Sequence, residues 1–137
     1  MRSDLVEAER VRSIVGGFYS VYNELGFGFL EPVYCRALEL ELSDRGHSVA
    51  REVSVAIRYK GRLIGRQRMD LIVDDRIIVE VKSTERLAGV AARQLLNYLR
   101  ASSYKVGMLL HFGPQPKFWR YVHSRKGLVE IDTGQPR

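Results

Sequence analysis

Cysteine is all but missing from this chain. Cys35 is the one example in 137 residues, which excludes an intrachain disulfide and a cysteine-built zinc site. No apolar run approaches the roughly 18–20 residues that a membrane-spanning helix requires. The opening residues, MRSDLVEAERVRS, alternate in charge and lack the apolar block of a signal peptide. Internal repeats, low-complexity tracts and Pro/Gly-rich linkers are absent as well. A single domain over residues 1–137 is therefore expected, with a core from about 8 to 122. The same absences lead us to expect a cytoplasmic protein with no membrane partner.

What is present is an apolar fraction of 45% and a net charge of +6. The first is enough for one packed core rather than a disordered chain. The charge is unevenly spread. Arg58, Lys60, Arg62, Arg66 and Arg68 crowd one segment, and Lys117, Arg120, Arg125 and Lys126 form a second group. Basic fields of this kind attract polyanions, so the first group is a candidate nucleic-acid surface. The competing reading is charge kept for solubility alone.

Periodicity divides the chain into elements. Val11, Ile14, Val15, Phe18, Val21 and Tyr22 recur at helical spacing within residues 4–25, and Gly16-Gly17 suggests close packing against a neighbour. A second helix is expected from about Pro32 to Arg45, with proline at its first position and Glu31 at its cap. Its buried stripe would be Val33, Tyr34, Ala37, Leu38 and Leu42. Three strands follow, over Glu52–Tyr59, about Leu63–Val73 and Ile77–Ser83, joined by turns at Lys60-Gly61 and Asp74-Asp75. The first would carry Val53, Val55, Ile57 and Tyr59 on one face. Residues 86–101 return to helical period through Leu87, Val90, Ala91, Leu95, Tyr98 and Leu99, with Ser83-Thr84 as expected caps. A strand from Tyr104 to Phe112 and a hairpin of 118–122 with 128–131 complete the order.

The chemistry concentrates between the second and third strands. Asp70, Glu80 and Lys82 interrupt apolar runs, and charges carried into such surroundings must be paired or bind a metal. Ile78, Glu80 and Lys82 share one strand face because side chains alternate with period two. Two carboxylates and an ammonium so arranged suit a divalent cation and an activated water. They equally suit a salt-bridged hairpin. His47, His111 and His123 show no ligand spacing and read as structural or exposed. Phe118, Trp119 and Tyr121 read as packing residues.

Taken together, Asp70 and Glu80-Val81-Lys82 resemble the D…(D/E)xK signature of the PD-(D/E)xK nuclease superfamily. Gln94 and Tyr98 resemble the QxxxY element of its RecB/Cas4-like branch. Gly28, Glu31 and Tyr34 match the pattern of the GxxExxY proteins. Met69 stands where many members carry proline, which we do not read as inactivation.

This resemblance implies an α/β restriction-endonuclease-like core: a mixed central sheet flanked by helices, in the order helix-helix-β-β-β-helix-β, then a short C-terminal hairpin. It further implies a Mg²⁺- or Mn²⁺-dependent nuclease, with DNA the favoured substrate. Asp70, Glu80, the Val81 carbonyl and Glu31 would be metal ligands, and Lys82 would position the attacking water. Gln94 and Tyr98 would contact a phosphate or Lys82. The alternatives are a non-catalytic nucleic-acid-binding module and a protein-interaction domain on the same fold. A homodimer or an accessory protein is a further expected partner.

Overall fold

A computed structural model describes residues 7–124 and 127–133. Two helices come first, α1 (Ala8–Leu25) and α2 (Glu31–Asp44). They are followed by β1 (Val49–Tyr59), β2 (Arg62–Val73) and β3 (Ile77–Lys82). Helix α3 (Gly89–Ala101) then leads to β4 (Val106–Phe112), β5 (Pro116–Ser124) and β6 (Gly127–Thr133). The strands form one six-stranded sheet in sequence order. Every neighbouring pair is antiparallel except β3–β4, which is parallel and bridged by α3. The sheet is thus mixed, as the sequence led us to expect. Arg125 and Lys126 of the second basic group lie outside the described residues.

Each face of the sheet buries its own core. Val11, Ile14, Phe18 and Val21 of α1, with Tyr34, Leu38 and Leu42 of α2, cover Ile77, Val79 and Val81 of β3 and the matching residues of β4. On the opposite face, Ala91, Leu95, Tyr98 and Leu99 of α3 cover Ile78 and Leu109. The α1–α2 contact depends on the expected glycine approach: a Cβ on Gly17 would lie 2.8 Å from a Leu42 methyl. The turns Lys60-Gly61 and Asp74-Asp75 have positive φ at both central residues, the conformation that matches strand twist in tight hairpins.

Several expectations need correction. Helix α2 begins one residue earlier, with Leu30 at its cap and Glu31 inside its first turn. Helix α3 begins at Gly89, capped by Ala88 without a side-chain bond. Ser83 and Thr84 therefore cap nothing. Ser83 Oγ donates to the Phe29 carbonyl, and Thr84 contacts the buried His111. The chain spends residues 85–88 travelling from the sheet to the helix, so a cap five residues upstream has no N–H within reach. Val33, Tyr59 and Val90 are exposed rather than buried. Arg120, assigned to a basic surface, is buried.

Candidate functional site

Strand β1 carries a break that shapes this region. Between the paired positions Arg51–Leu71 and Val53–Met69, Glu52 adopts a left-handed φ of 56°. Side-chain facing inverts there. Val49 packs with the α1–α2 core, whereas Val53 packs with the α3 core. The partner strand inverts at the same level, with Leu71 on the α1–α2 side and Met69 on the α3 side. Asp70 occupies the point of inversion. There β2 also parts from β3, whose pairing with it runs only from Leu71–Val79 to Val73–Ile77.

At that fork the two carboxylates take the place of ladder bonds. The Asp70 N–H donates to Glu80 Oε1 at 3.0 Å, and the Val81 N–H donates to Asp70 Oδ2 at 2.8 Å. Each acid thus holds the other strand's backbone. Glu80 is 3% exposed. Burial, then the neighbouring Asp70 charge, pushes its carboxyl up to about 8. Asp70 is raised too, by burial first, with the Val81 N–H and Lys82 opposing and Glu31 reinforcing. Lys82 lies on the Glu80 face, half-buried, and acts on both acids as a favourable charge.

Glu31 arrives from the start of α2, where Oε2 accepts the Ser83 N–H at 3.2 Å. This fixes the backbone just after Lys82. Tyr34, one helical turn on, donates to the Gly26 carbonyl at 2.5 Å and accepts the Phe29 N–H at 3.2 Å. Its ring stacks on Phe112 at 4.0 Å. Gly28 takes φ 122° inside the loop so clamped. The Gly28, Glu31 and Tyr34 pattern therefore serves one purpose: it ties the α1–α2 loop to the end of β3. Cys35 registers the field of this cluster. Its thiol is pushed up to about 12 by burial first and then by Asp70, Glu31 and Glu80.

Helix α3 supplies the opposite wall. Gln94 Nε2 donates to Tyr98 Oη at 2.7 Å, a bond permitted by their four-residue spacing. Tyr98 is buried, and its hydroxyl is raised by burial and then by the Glu80 charge. Both residues line a cleft of about 840 Å³ between α3 and β1–β2. Sequence reasoning assigned no role to Arg93, Asn97 and Arg100, which line it too. The available signal was that α3 carries two arginines and no acid.

The basic group on β1–β2 does not act as a unit. Arg58 lines the α3 cleft. Arg68 lies by a smaller recess of about 180 Å³ with Glu31, Cys35 and Asp70, and pairs with Glu52 at 3.7 Å. Lys60 sits 5.5 Å over the Tyr59 ring at the hairpin tip, while Arg62 and Arg66 are exposed. Among the described residues, no three His, Cys, Asp or Glu side chains are grouped closely enough to hold a metal ion. Asp70 and Glu80 come together, and Glu31 lines the recess beside Asp70 with one carboxylate oxygen on the Ser83 N–H.

Of the sequence families, the PD-(D/E)XK nuclease superfamily matches, over residues 8–121. The chain belongs to this superfamily. That span runs from α1 into β5 and contains Glu31, Asp70, Glu80, Lys82, Gln94 and Tyr98. No curated protein and no solved structure matches the chain.

His47 links another set of residues on the α1 side of the sheet. Its Nδ1 lies 2.7 Å from Asp74 Oδ2 and its Nε2 2.7 Å from Ser13 Oγ. Arg10 Nε donates to the same Asp74 oxygen at 3.0 Å, and the Ser48 N–H to the other at 2.8 Å. The set joins α1, the segment between α2 and β1 and the β2–β3 turn, and we assign it to holding the fold.

Proposed function

We propose that this chain is a divalent-metal-dependent nuclease of the RecB/Cas4-like, GxxExxY kind that hydrolyses phosphodiester bonds, with DNA the favoured substrate. The observation that carries the reading is the Asp70–Glu80 pair. A buried and a half-buried carboxylate, each raised by burial and by a neighbouring acid, are unfavourable without a cation. A hard divalent ion suits such a pair, because magnesium keeps several waters and needs only one or two protein carboxylates. The donor set therefore fits Mg²⁺ or Mn²⁺, with Asp70, Glu80 and the Val81 carbonyl as inner ligands. Glu31, with one oxygen on the Ser83 N–H, would complete the pocket directly or through a water. Bound there, the ion would supply charge neutralisation at the phosphate and a more acidic water.

The residues divide the remaining work. Lys82 directs its ammonium to the attacking water and to the negative charge on the phosphoryl oxygens. Gln94 fixes Tyr98, whose hydroxyl stands in the field of Glu80. Glu31 and Tyr34 keep the Lys82–Ser83 backbone from moving. Among the described residues no third ligand is grouped with the pair, and the competing reading is a nucleic-acid-binding module without turnover.

Cleavage of single- and double-stranded DNA and RNA with Mg²⁺ or Mn²⁺, with Lys82→Ala in parallel, tests the proposal. Cleavage that disappears in EDTA and in the variant supports the nuclease. Binding of nucleic acid with no cleavage of any substrate and no metal uptake supports the module instead.

A further inference from the structure

The cleft between α3 and the β1–β2 arm has a composition that the metal site does not explain. Arg58, Arg93 and Arg100 stand around it, and no acidic residue lines it. None of the three arginines forms an ion pair among the described residues, although Arg10, Arg36, Arg45, Arg51, Arg68 and Arg76 all do. Between the arginines lie the amides of Gln67 and Asn97 and the apolar surfaces of Ile57 and Val90. Val90 is 64% exposed, in a helix whose periodicity would have buried it. The cleft floor reaches the catalytic carboxylates through Tyr98, which lines it and whose hydroxyl feels the Glu80 and Asp70 charges.

We propose that this cleft takes one unpaired strand of nucleic acid, with phosphates on Arg58, Arg93 and Arg100 and bases against Val90, Gln67 and Asn97. The assignment deepens the nuclease reading and rests on it for the strand's path toward Glu80. Charge complementarity selects a polyanion. The choice of strand over duplex follows from the rest of the lining. A duplex turns its phosphates outward and keeps its base faces stacked, so apolar wall and amides inside a cleft would find nothing to contact. Unstacked bases offer both an apolar face and a hydrogen-bonding edge. The volume, about 840 Å³, falls within the roughly 300–1,000 Å³ of ligand-sized sites. That suits a few nucleotides and is too small for a double helix.

The test is fluorescence anisotropy in EDTA, using labelled DNA and RNA oligonucleotides of about 15 nucleotides, near the upper site size of single-strand binders. Each is measured as a strand and as its duplex. Tighter binding of either strand than of its duplex, by about tenfold, supports the proposal and names the preferred sugar. Arg93→Ala should weaken strand binding and reduce the salt slope by about one. Val90→Glu should remove the strand preference. Both positions are exposed on α3, and unchanged circular dichroism and melting verify the fold of each variant. Duplex bound as tightly as strand, or strand affinity unmoved by both variants, overturns the cleft assignment. Because binding is read without metal, the two proposals fail separately. A chain that cleaves nothing yet keeps the Arg93- and Val90-dependent preference loses the nuclease reading alone. A chain that cleaves while both variants bind as before loses the cleft assignment alone.

Discussion

Replacing Glu80 with glutamine should stabilise the metal-free protein, increasingly as pH rises from about 4.5 to about 8. Glutamine keeps the shape and the oxygen that accepts the Asp70 N–H, so packing and hydrogen bonding are retained while the charge is removed. The folded carboxyl is raised from 4.5 to about 8. The fold thus holds this proton more tightly than the unfolded chain does. That contribution is complete below about pH 4.5 and is lost as pH rises through 8. At roughly 1.4 kcal/mol per pH unit, the full rise sets a ceiling of about 4–5 kcal/mol. Protonation of either Asp70 or Glu80 relieves the shared repulsion, so about 2 kcal/mol is the working figure. For a domain of this size that is about 5–10 °C in melting temperature. Melts of wild type and Glu80→Gln in EDTA should therefore coincide near pH 4.5 and separate by that amount near pH 8.5. Added Mg²⁺ or Mn²⁺ should raise the wild-type melt and close the gap. A variant less stable than wild type at pH 8.5, or a gap independent of pH, would refute the argument that the Glu80 charge is held at a cost.

Asp74 should behave in the opposite sense. Burial raises its carboxyl, but the bonds from His47, the Ser48 N–H and Arg10 outweigh this and lower it overall, in a setting that also includes Glu7 and Arg76. Its stabilisation is present above the unfolded value near 3.9 and is lost as pH falls through the depressed folded value. Urea midpoints of Asp74→Ala should trail wild type by about 1–2 kcal/mol at neutral pH and converge toward it near pH 2; a constant gap contradicts this. Tyr34→Phe keeps the stacking on Phe112 but loses the bonds to Gly26 and Phe29. We expect about 1 kcal/mol of destabilisation and faster amide exchange at Phe29, with a fall in cleavage as the Glu31 loop loosens. Gly107→Ala would place a Cβ 2.8 Å from Leu95 Cδ1 and 3.2 Å from Leu99 Cδ1. It should cost about 1–3 kcal/mol despite the poor strand propensity of glycine, and an unchanged thermal melt would show that α3 yields easily.

Much of this was legible because local rules and tertiary structure agree. Period two put Ile78, Glu80 and Lys82 on one face, and the α3 core does receive Ile78. The four-residue spacing of Gln94 and Tyr98 likewise led directly to a bond. Other features depend on the path of the chain. Glu31 reaches Ser83 across 52 positions, a contact set by how α2 docks and invisible to any local pattern. Ser83 and Thr84 carry the residue types of helix caps, but the chain needs four more residues to reach α3. Val90 fits the helical period, yet the neighbouring sheet surface is too far from it to bury it, and a cleft remains.

The face inversion at Glu52 and Asp70 explains why period two could describe β3 but not β2. Under strict alternation Met69 and Leu71 would share a face, and Asp70 would simply oppose them. Instead they flank a point where both β1 and β2 rotate, and the two cores take one residue each. The left-handed Glu52 is a conformation that non-glycine residues adopt rarely and at a cost of order 1–3 kcal/mol. What it provides is the fork. A strand that stayed flat against β3 would continue its backbone ladder through Asp70 and Glu80, leaving their side chains as a cross-strand pair on one surface of an ordinary sheet. Because β2 turns away, the Asp70 N–H and the Val81 N–H lose backbone acceptors and take carboxylates instead. Those bonds hold both acids in the widening gap between the strands, with Lys82 beside them. The strain at Glu52 and the unfavourable charge at Glu80 therefore belong to one arrangement, in which the sheet is opened at a single point and two acids are fixed where it opens.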